Sequence, residues 1–328
     1  MSPICYIIVY MYVNLHGEFG LKPTNAYFCK MGKVNSVLIP NVTRDDRIGS
    51  AFNQLFIVIH QTETRNDNIE WNFKNTLFLH PFFLVPLAIY RDSHKCNISC
   101  RGMCYNIKEY FKAICFSEVY DVTDLSSQET LDSYIGKSYI PISRFSIRGD
   151  VDKIQEILQK VIEAQSRVAS NMRTPISHLL SELVGNIGEH SASKYGYLFC
   201  QRVKKELYII IADSGKTVYG SYRDTQKYMD VIGTSDAMAL KIANNGYSTK
   251  DRPEAENRGY GISKSREMIV DGLGGAFFML SGTAFYRHDA NGVNSVDIPG
   301  EYRWNGTIVL VKIPLVAPNG FQFYDYVE

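Results

Sequence analysis

The sequence has little that marks a nucleic-acid-binding, membrane-spanning or secreted protein. Its formal net charge is only +1, from 35 Lys and Arg against 34 Asp and Glu. No excess of charge therefore predicts a nucleic acid or a membrane surface as a partner. The apolar run near the start, ICYIIVYMYV, has ten residues and no basic flank, which makes it too short to cross a bilayer and a poor signal peptide. Partners must be inferred from sites instead of from bulk charge.

Cysteine is sparse as well, with seven residues in 328. An odd number of cysteines in a long chain without a convincing secretory signal predicts free thiols and a cytoplasmic location. Cys96, Cys100 and Cys104, with His94 nearby, raise the alternative of a metal site. Their spacing lacks the paired C-x₂-C of zinc sites, so we expect buried or incidental thiols there.

The length and the 45% apolar composition are typical of a globular chain with room for two domains. A polar stretch, DVTDLSSQETLDS, and a long helical pattern over residues 151–169 place the expected domain boundary near Gly149. We therefore expect an α/β interaction domain over residues 31–149 and a second domain over residues 150–328. Residues 1–30 leave two interpretations open: ICYIIVYMYV is a buried strand, or these residues are an upstream extension of a protein that begins at Met31.

The two halves predict different architectures. Residues 31–149 alternate strand-like runs (SVLIP, QLFIVIHQ, NIEWNF) with helix-like runs (PFFLVPLAIYRD, YNIKEYFKAICF), which is an α/β pattern. In the second half, YGYLFCQRV and ELYIIIAD predict a hairpin that ends on Asp213, and GAFFMLSGTAFYRHD and WNGTIVLVKIPL predict further strands. These runs favour an α+β fold with a mixed, largely antiparallel sheet, and not a doubly wound parallel sheet.

A helix over residues 176–190, opened by Pro175, carries an unusual polar ridge in the segment SELVGNIGEHS. Glu182, Asn186 and His190 follow each other at i, i+4 and step about 40° around the helix, to the margin of its apolar stripe. We therefore expect these three side chains to be half-buried. The local alternative is a solvated face with His190 near the helix C-terminus. Two glycines in the same segment, at positions 185 and 188, suggest close packing.

Three later segments each offer something that a nucleotide needs. Asp213 ends a strand in IIIADSG, where its carboxylate can accept a hydrogen bond from an adenine amino group. Gly259 and Gly261 flank Tyr260 just before a helix, an arrangement that presents backbone N–H groups to phosphate. Thr307 follows a glycine at the start of a strand, in NGTIVLVKIP.

In this order the segments resemble the GHKL ATPase family, which includes gyrase, the large heat-shock chaperone, histidine kinases and mismatch-repair ATPases. The resemblance covers residues 176–314 and implies a Bergerat-type α/β sandwich that binds ATP and Mg²⁺. It implies that Glu182 is the general base, that Asn186 holds Mg²⁺, and that Asp213 binds the adenine amino group. Gly215 would let the base lie close to the backbone, and Thr307 would support the base side.

The resemblance also implies a phosphate cradle and a lid. The cradle would be formed by Gly259, Tyr260, Gly261 and the helix that opens at Ile262. The polar segment NNGYSTKDRPEAENRG is similar to the mobile lid of the family, and Lys250 within it is either a γ-phosphate ligand or a solvated lysine. Thr217 stands where the family pattern D-x-G-x-G has its second glycine, so we expect a different turn after Asp213.

Three functions remain open from the sequence. The preferred one is an ATP-driven conformational switch with slow hydrolysis that regulates a protein partner. The alternatives are a serine/threonine kinase similar to the anti-sigma kinases and a nucleotide-gated binding module that never hydrolyses ATP. The first half resembles STAS domains in the rhythm of its strands and helices, which implies a protein partner, and the sequence leaves a homodimer open.

Overall fold

The computed structural model describes residues 7–13, 19–25, 35–42, 48–65, 68–94, 98–122, 131–147, 159, 162, 169–249 and 260–327. The chain divides into two compact units, Met1–Ala113 and Ile114–Glu328. None of the helices in the described ranges is both long and apolar enough to span a membrane. The four cysteines in these ranges, at positions 100, 104, 115 and 200, carry free thiols.

The first unit contains a parallel three-stranded sheet with helices between its strands. Its elements are β1 (Ile7–Val13), β2 (Phe19–Asn25), β3 (Ser36–Leu38), α1 (Ile48–Glu63), β4 (Ile69–Asn72), α2 (Pro81–Ser93), β5 (Ile98–Arg101) and α3 (Tyr105–Ala113). The sheet order is β3-β4-β5, while β1 and β2 form a separate antiparallel pair. The run ICYIIVYMYV contains strand β1, and the predicted strands β3 and β4 and the helices α2 and α3 are confirmed.

One prediction for the first unit is wrong, because QLFIVIHQ lies inside helix α1 and not in a strand. A short continuous apolar run is compatible with either a buried strand or a buried helix, so the pattern alone does not decide. In α1, Phe52, Leu55, Phe56 and Ile59 recur at helical spacing and are all buried. The flanking strands β3 and β4 are parallel, and parallel neighbours need a crossover connection that this helix supplies.

The second unit is built on an eight-stranded sheet of order β12-β11-β10-β13-β9-β8-β7-β6. Its strands are β6 (Tyr120–Asp121), β7 (Ser143–Ser146), β8 (Tyr195–Val203), β9 (Glu206–Asp213), β10 (Ala276–Gly282), β11 (Ala284–Asp289), β12 (Gly292–Asp297) and β13 (Trp304–Pro314). The pair β6–β7 is parallel, and the other neighbours are antiparallel. The α+β class, the mixed and largely antiparallel sheet and the β8–β9 hairpin that ends on Asp213 are confirmed.

Helices pack on this sheet and frame the site. They are α4 (Arg173–His190), α5 (Val218–Thr225), α6 (Met229–Ile232), α7 (Asp236–Asn244) and α8 (Tyr260–Glu267), which continues as a π-helical turn (Met268–Gly272). The apolar stripe of α4 is buried as predicted, at Ile176, Leu179, Leu180, Leu183, Val184 and Ile187. The helix begins at Arg173 and not at Pro175. Proline is tolerated at position 175, because N–H groups in the first turn of a helix have no intrahelical acceptor.

The second unit begins well before the predicted boundary near Gly149. Strand β7 pairs with β8, and Phe145 of β7 is buried in the core of this unit. Arg144 of β7 also forms an ion pair of 2.9 Å with Asp121 of β6. Strands β6 and β7 therefore belong to the sheet that carries the site. The helix predicted over residues 151–169 falls almost wholly outside the described residues.

Candidate functional site

The polar ridge of α4 faces a pocket of about 240 Å³. Glu182, Asn186 and His190 all line it, and all three are half-buried, as their position at the margin of the apolar stripe predicts. The ridge is therefore not a solvated helix face.

Asp213 lies at the floor of the same pocket, where β9 ends. Its side chain is almost fully buried, and Oδ1 accepts a hydrogen bond of 2.8 Å from the backbone N–H of Gly215. Burial raises the pKa of this carboxyl to about 7, and the backbone amides of Gly215 and Thr307 act in the opposite direction. A buried carboxyl with a perturbed pKa that opens into a pocket is typical of a functional site.

Two glycines let the chain close tightly around Asp213. An added Cβ at Gly306 would overlap the carbonyl oxygen of Asp213, and Gly306 has a φ of +101°, which only glycine adopts readily. An added Cβ at Gly215 would overlap the carbonyl oxygen of Ser191, just after α4. The close neighbour of Gly215 is therefore protein backbone. Glycine at this position lets the turn after Asp213 pack against the chain that follows α4.

Thr217 stands where the D-x-G-x-G motif has its second glycine, and its backbone conformation is one that any residue adopts. It has φ −72° and ψ 161°, an extended conformation that needs no glycine, and it is the N-cap of α5. Its hydroxyl accepts a hydrogen bond of 3.0 Å from the N–H of Gly220. The turn after Asp213 thus leads directly into a capped helix.

Glu182 approaches the first turn of α8. An added Cβ at Gly261 would overlap the Oε2 atom of Glu182, so the carboxylate lies against bare backbone there. Helix α8 begins at Tyr260, two residues before the predicted start at Ile262, which corrects that prediction and puts Gly261 inside the first turn. Gly261 and Ile262 line the pocket, whereas Lys250 and Gly259 lie outside the described residues.

Thr307 of β13 lines the pocket next to a serine that the sequence did not single out. The hydroxyls of Thr307 and Ser281 are 3.2 Å apart. Ser281 also donates to the carbonyl of Gly306 at 2.7 Å and accepts from the N–H of Val218 at 2.9 Å. Ser281 therefore ties β10, β13 and α5 together beneath the pocket, and its only signal in the sequence is a hydroxyl inside the apolar run AFFMLSG.

His190 contacts a part of the chain that the sequence did not connect with it. Its Nδ1 atom is 3.2 Å from the hydroxyl of Thr249, and its backbone carbonyl accepts a hydrogen bond of 3.2 Å from Ser221. Thr249 and Tyr247 line the pocket too. The end of α4 is thus attached to the first part of the polar segment that the sequence predicts as a lid.

His178 lies one turn before Glu182 on α4. Burial lowers the pKa of His178, and the nearby charge of Glu182 acts in the opposite direction. Its ring packs edge-on against Phe323, with ring centroids 5.6 Å apart. These contacts make His178 a packed neighbour of the site.

The predicted residues that line this pocket come from four segments: α4, the end of β9, the start of α8 and β13. The chain matches no protein-family model, and it matches no curated protein. The wall between the polar groups is apolar, formed by Ile211, Val218, Met279 and Val309 among others. An apolar cleft with a few convergent polar groups is the usual form of a site for a small organic ligand.

Proposed function

We propose that the second unit is a GHKL-type module of Bergerat architecture that binds ATP with Mg²⁺ in this pocket. The observation that carries the proposal is the convergence of Glu182, Asn186, Asp213, Gly261 and Thr307 on a single cavity. The sequence alone predicts these five residues, and they belong to four segments that lie between positions 182 and 307 of the chain.

The adenine ring would bind at the floor of the pocket. Asp213 would accept a hydrogen bond from the exocyclic amino group of adenine through a carboxylate oxygen. The apolar side chains of Ile211, Met279 and Val309 would pack against the base. This arrangement favours adenine over guanine, because guanine has a carbonyl oxygen at the corresponding position and cannot donate there.

The phosphates would bind at the opposite polar wall. The first turn of α8 offers backbone N–H groups and the positive end of a helix dipole, and the carboxylate of Glu182 lies beside it, against the backbone of Gly261. The side-chain oxygen of Asn186 is a suitable ligand for Mg²⁺, which prefers oxygen donors and takes part of its coordination from phosphates. A bound Mg²⁺ would offset the charge of the phosphates.

Glu182 would act as the general base, because its carboxylate is half-buried, faces the pocket and touches the first turn of α8. It would orient and deprotonate the attacking water, or a hydroxyl of a protein substrate. We propose that turnover is slow and that ATP binding switches the conformation of a regulatory protein. The separate α/β first unit would be its STAS-like interaction domain, and the cytoplasm its location.

The test combines nucleotide binding with the fate of the γ-phosphate. ATP affinity would be measured by calorimetry with Mg²⁺ for the wild type, Asp213→Asn, Glu182→Gln and the control Asp230→Asn, an exposed carboxylate outside the pocket. We expect Asp213→Asn to weaken binding at least about tenfold, since it removes a buried acceptor and leaves an amide donor facing the amino group. Unchanged affinity in Asp213→Asn would refute the assignment.

The catalytic role of Glu182 is tested separately, by incubating the protein with γ-labelled ATP, alone and with proteins from neighbouring genes. Free labelled phosphate indicates hydrolysis, label on a polypeptide indicates a kinase, and neither indicates a gated binding module. We expect Glu182→Gln to retain ATP binding and to lose hydrolysis or transfer. If the variant turns over ATP at the wild-type rate, Glu182 is not the general base.

A further inference from the structure

A second cavity, of about 440 Å³, is lined in part by residues 215–217. Lys216 in this segment lines both cavities. The remaining wall comes from α5, the start of α7, the turn between β10 and β11, and the start of β13. Of the residues assigned to the nucleotide, only Gly215 borders this second pocket.

The second pocket contains an arginine with unused binding capacity. Lys216 and Arg223 also line the pocket, but both pair with Asp224, at 2.6 and 3.4 Å. Arg303 differs, because its Nε donates to the neutral amide oxygen of Asn305 at 3.1 Å and no carboxylate of the described residues forms an ion pair with it. Its planar guanidinium group suits the two oxygens of a carboxylate.

The same pocket contains a carboxylate with one unused oxygen. Asp236, the first residue of α7, is 9% exposed, and its Oδ2 accepts from the N–H and the hydroxyl of Thr283, at 2.9 and 2.8 Å. Its Oδ1 accepts no hydrogen bond from any described residue. Its position at the start of α7 stabilises the helix N-terminus. This role does not explain a buried carboxyl oxygen that has no hydrogen-bond donor, which is costly.

We propose that this second pocket binds a free amino acid, with the ligand carboxylate on Arg303 and the ligand ammonium group on Asp236. A ligand with both charges satisfies both unused groups, whereas a simple anion satisfies Arg303 alone. The hydroxyls of Thr217, Thr234 and Thr283 give the rest of the wall a polar character that suits such a ligand. The proposal does not depend on nucleotide binding in the first pocket.

The test compares amino acids with analogues that lack the ammonium group. The full-length protein would be titrated calorimetrically with L-aspartate, L-glutamate and glycine, and with succinate, glutarate and acetate at the same millimolar concentrations. We expect at least one amino acid to bind, and to bind about tenfold more tightly than its analogue, because only the amino acid donates to Asp236. Equal affinity within every pair, or no binding by any amino acid, would overturn the proposal.

Variants locate the binding in the second pocket. Arg303→Gln changes an exposed side chain and should weaken amino-acid binding about tenfold without lowering the melting temperature, whereas the control Lys205→Gln, in the β8–β9 turn, should change neither. Asp236→Asn should abolish the preference for the amino acid over its analogue. Wild-type affinity in Arg303→Gln would contradict the assignment even if Asp236→Asn failed to fold.

One further variant separates the two pockets. Amino-acid binding should persist in Asp213→Asn, because Asp213 lines the first pocket and not the second. Loss of amino-acid binding in Asp213→Asn, with Arg303→Gln unaffected, would mean that the ligand occupies the first pocket and that the second-pocket proposal is wrong.

Discussion

Burial opposes the ionisation of the Asp213 carboxyl. The carboxyl is buried at the floor of a pocket and its pKa is raised to about 7, so that folding holds a proton on it at pH values where the unfolded chain has released that proton. Without a ligand, the ionised form is therefore a cost to the folded state. Such a cost is expected where a side chain is kept for binding and not for stability.

This cost predicts a particular pH dependence of stability. Between the ordinary pKa of 3.8 and about 7, the free energy of unfolding of the wild type should fall relative to Asp213→Asn as the pH rises. The expected slope is about 1.4 kcal/mol per pH unit, and the difference should level off above pH 7, where both states are ionised. Urea unfolding of both proteins across this range measures it, and parallel pH profiles would contradict the raised pKa.

Glu182 and Gly261 form the other close contact of the site, between the candidate base and the start of α8. Alanine at position 261 would overlap the Glu182 carboxylate, so Gly261→Ala should destabilise the protein by about 1–3 kcal/mol. Adding Glu182→Ala should recover most of this loss, with a coupling free energy of about 1–2 kcal/mol. Denaturant unfolding of the two single variants and the double variant measures the coupling.

Gly185→Ala is the matched control for that experiment. Gly185 is inside helix α4, and among the described atoms nothing lies within 4 Å of an added Cβ, so close packing does not explain this glycine. Alanine should therefore stabilise the helix by about 0.5–1 kcal/mol. Strictly additive effects of Gly261→Ala and Glu182→Ala would show that the contact does not exist in solution.

At the scale of elements, helix α5 sets the shape of the turn after Asp213. Its N-cap, Thr217, is buried and bonds the N–H of Gly220, and α5 contributes Val218, Ser221 and Tyr222 to the first pocket. The cap therefore links the geometry of the Asp213 turn to the position of a pocket wall.

Removal of the cap should have a graded effect. Thr217→Ala should lower the free energy of unfolding by about 1 kcal/mol, because the Gly220 N–H loses its acceptor, while Thr217→Ser should retain most of the stability. Thermal or urea unfolding of the two variants measures the difference. If serine and alanine are equally destabilising, the hydroxyl does not cap the helix.

At the scale of the whole molecule, the sheet that carries the site includes strands β6 and β7. They complete one side of the sheet whose central strands β9 and β13 carry Asp213 and Thr307. Ile140, Ile142 and Phe145 in this part of the chain are all buried. The sheet therefore depends on residues ahead of Gly149.

This dependence predicts different behaviour for two fragments. Residues 114–328 should form a soluble, cooperatively unfolding fragment. Residues 150–328 should melt at a lower temperature and aggregate, because β8 would become an unpaired edge strand. Thermal unfolding by circular dichroism, together with size-exclusion chromatography, compares them. Equal melting temperatures would mean that β6 and β7 contribute nothing to the unit.

The sequence by itself determined the features that depend on local pattern. The stripe and ridge of α4, the β8–β9 hairpin and the α+β class all follow from the spacing of apolar and polar residues. Glu182, Asn186, Asp213, Gly261 and Thr307 were predicted from short motifs and from the resemblance to the GHKL family, and all line the first pocket. Periodicity is local, so a single segment contains enough information to reveal it.

The tertiary structure decided what depends on contacts between distant segments. QLFIVIHQ is helical in the crossover between two parallel strands, and pairing of β7 with β8, together with burial of Ile140 and Phe145 in the core, joins β6 and β7 to the second unit. The contacts of Ser281 with Thr307 and of His190 with Thr249, and the overlap that Gly261 avoids with Glu182, join residues at least 26 positions apart. No local pattern specifies such neighbours, because strand pairing and helix packing bring them together only when the whole sheet has formed.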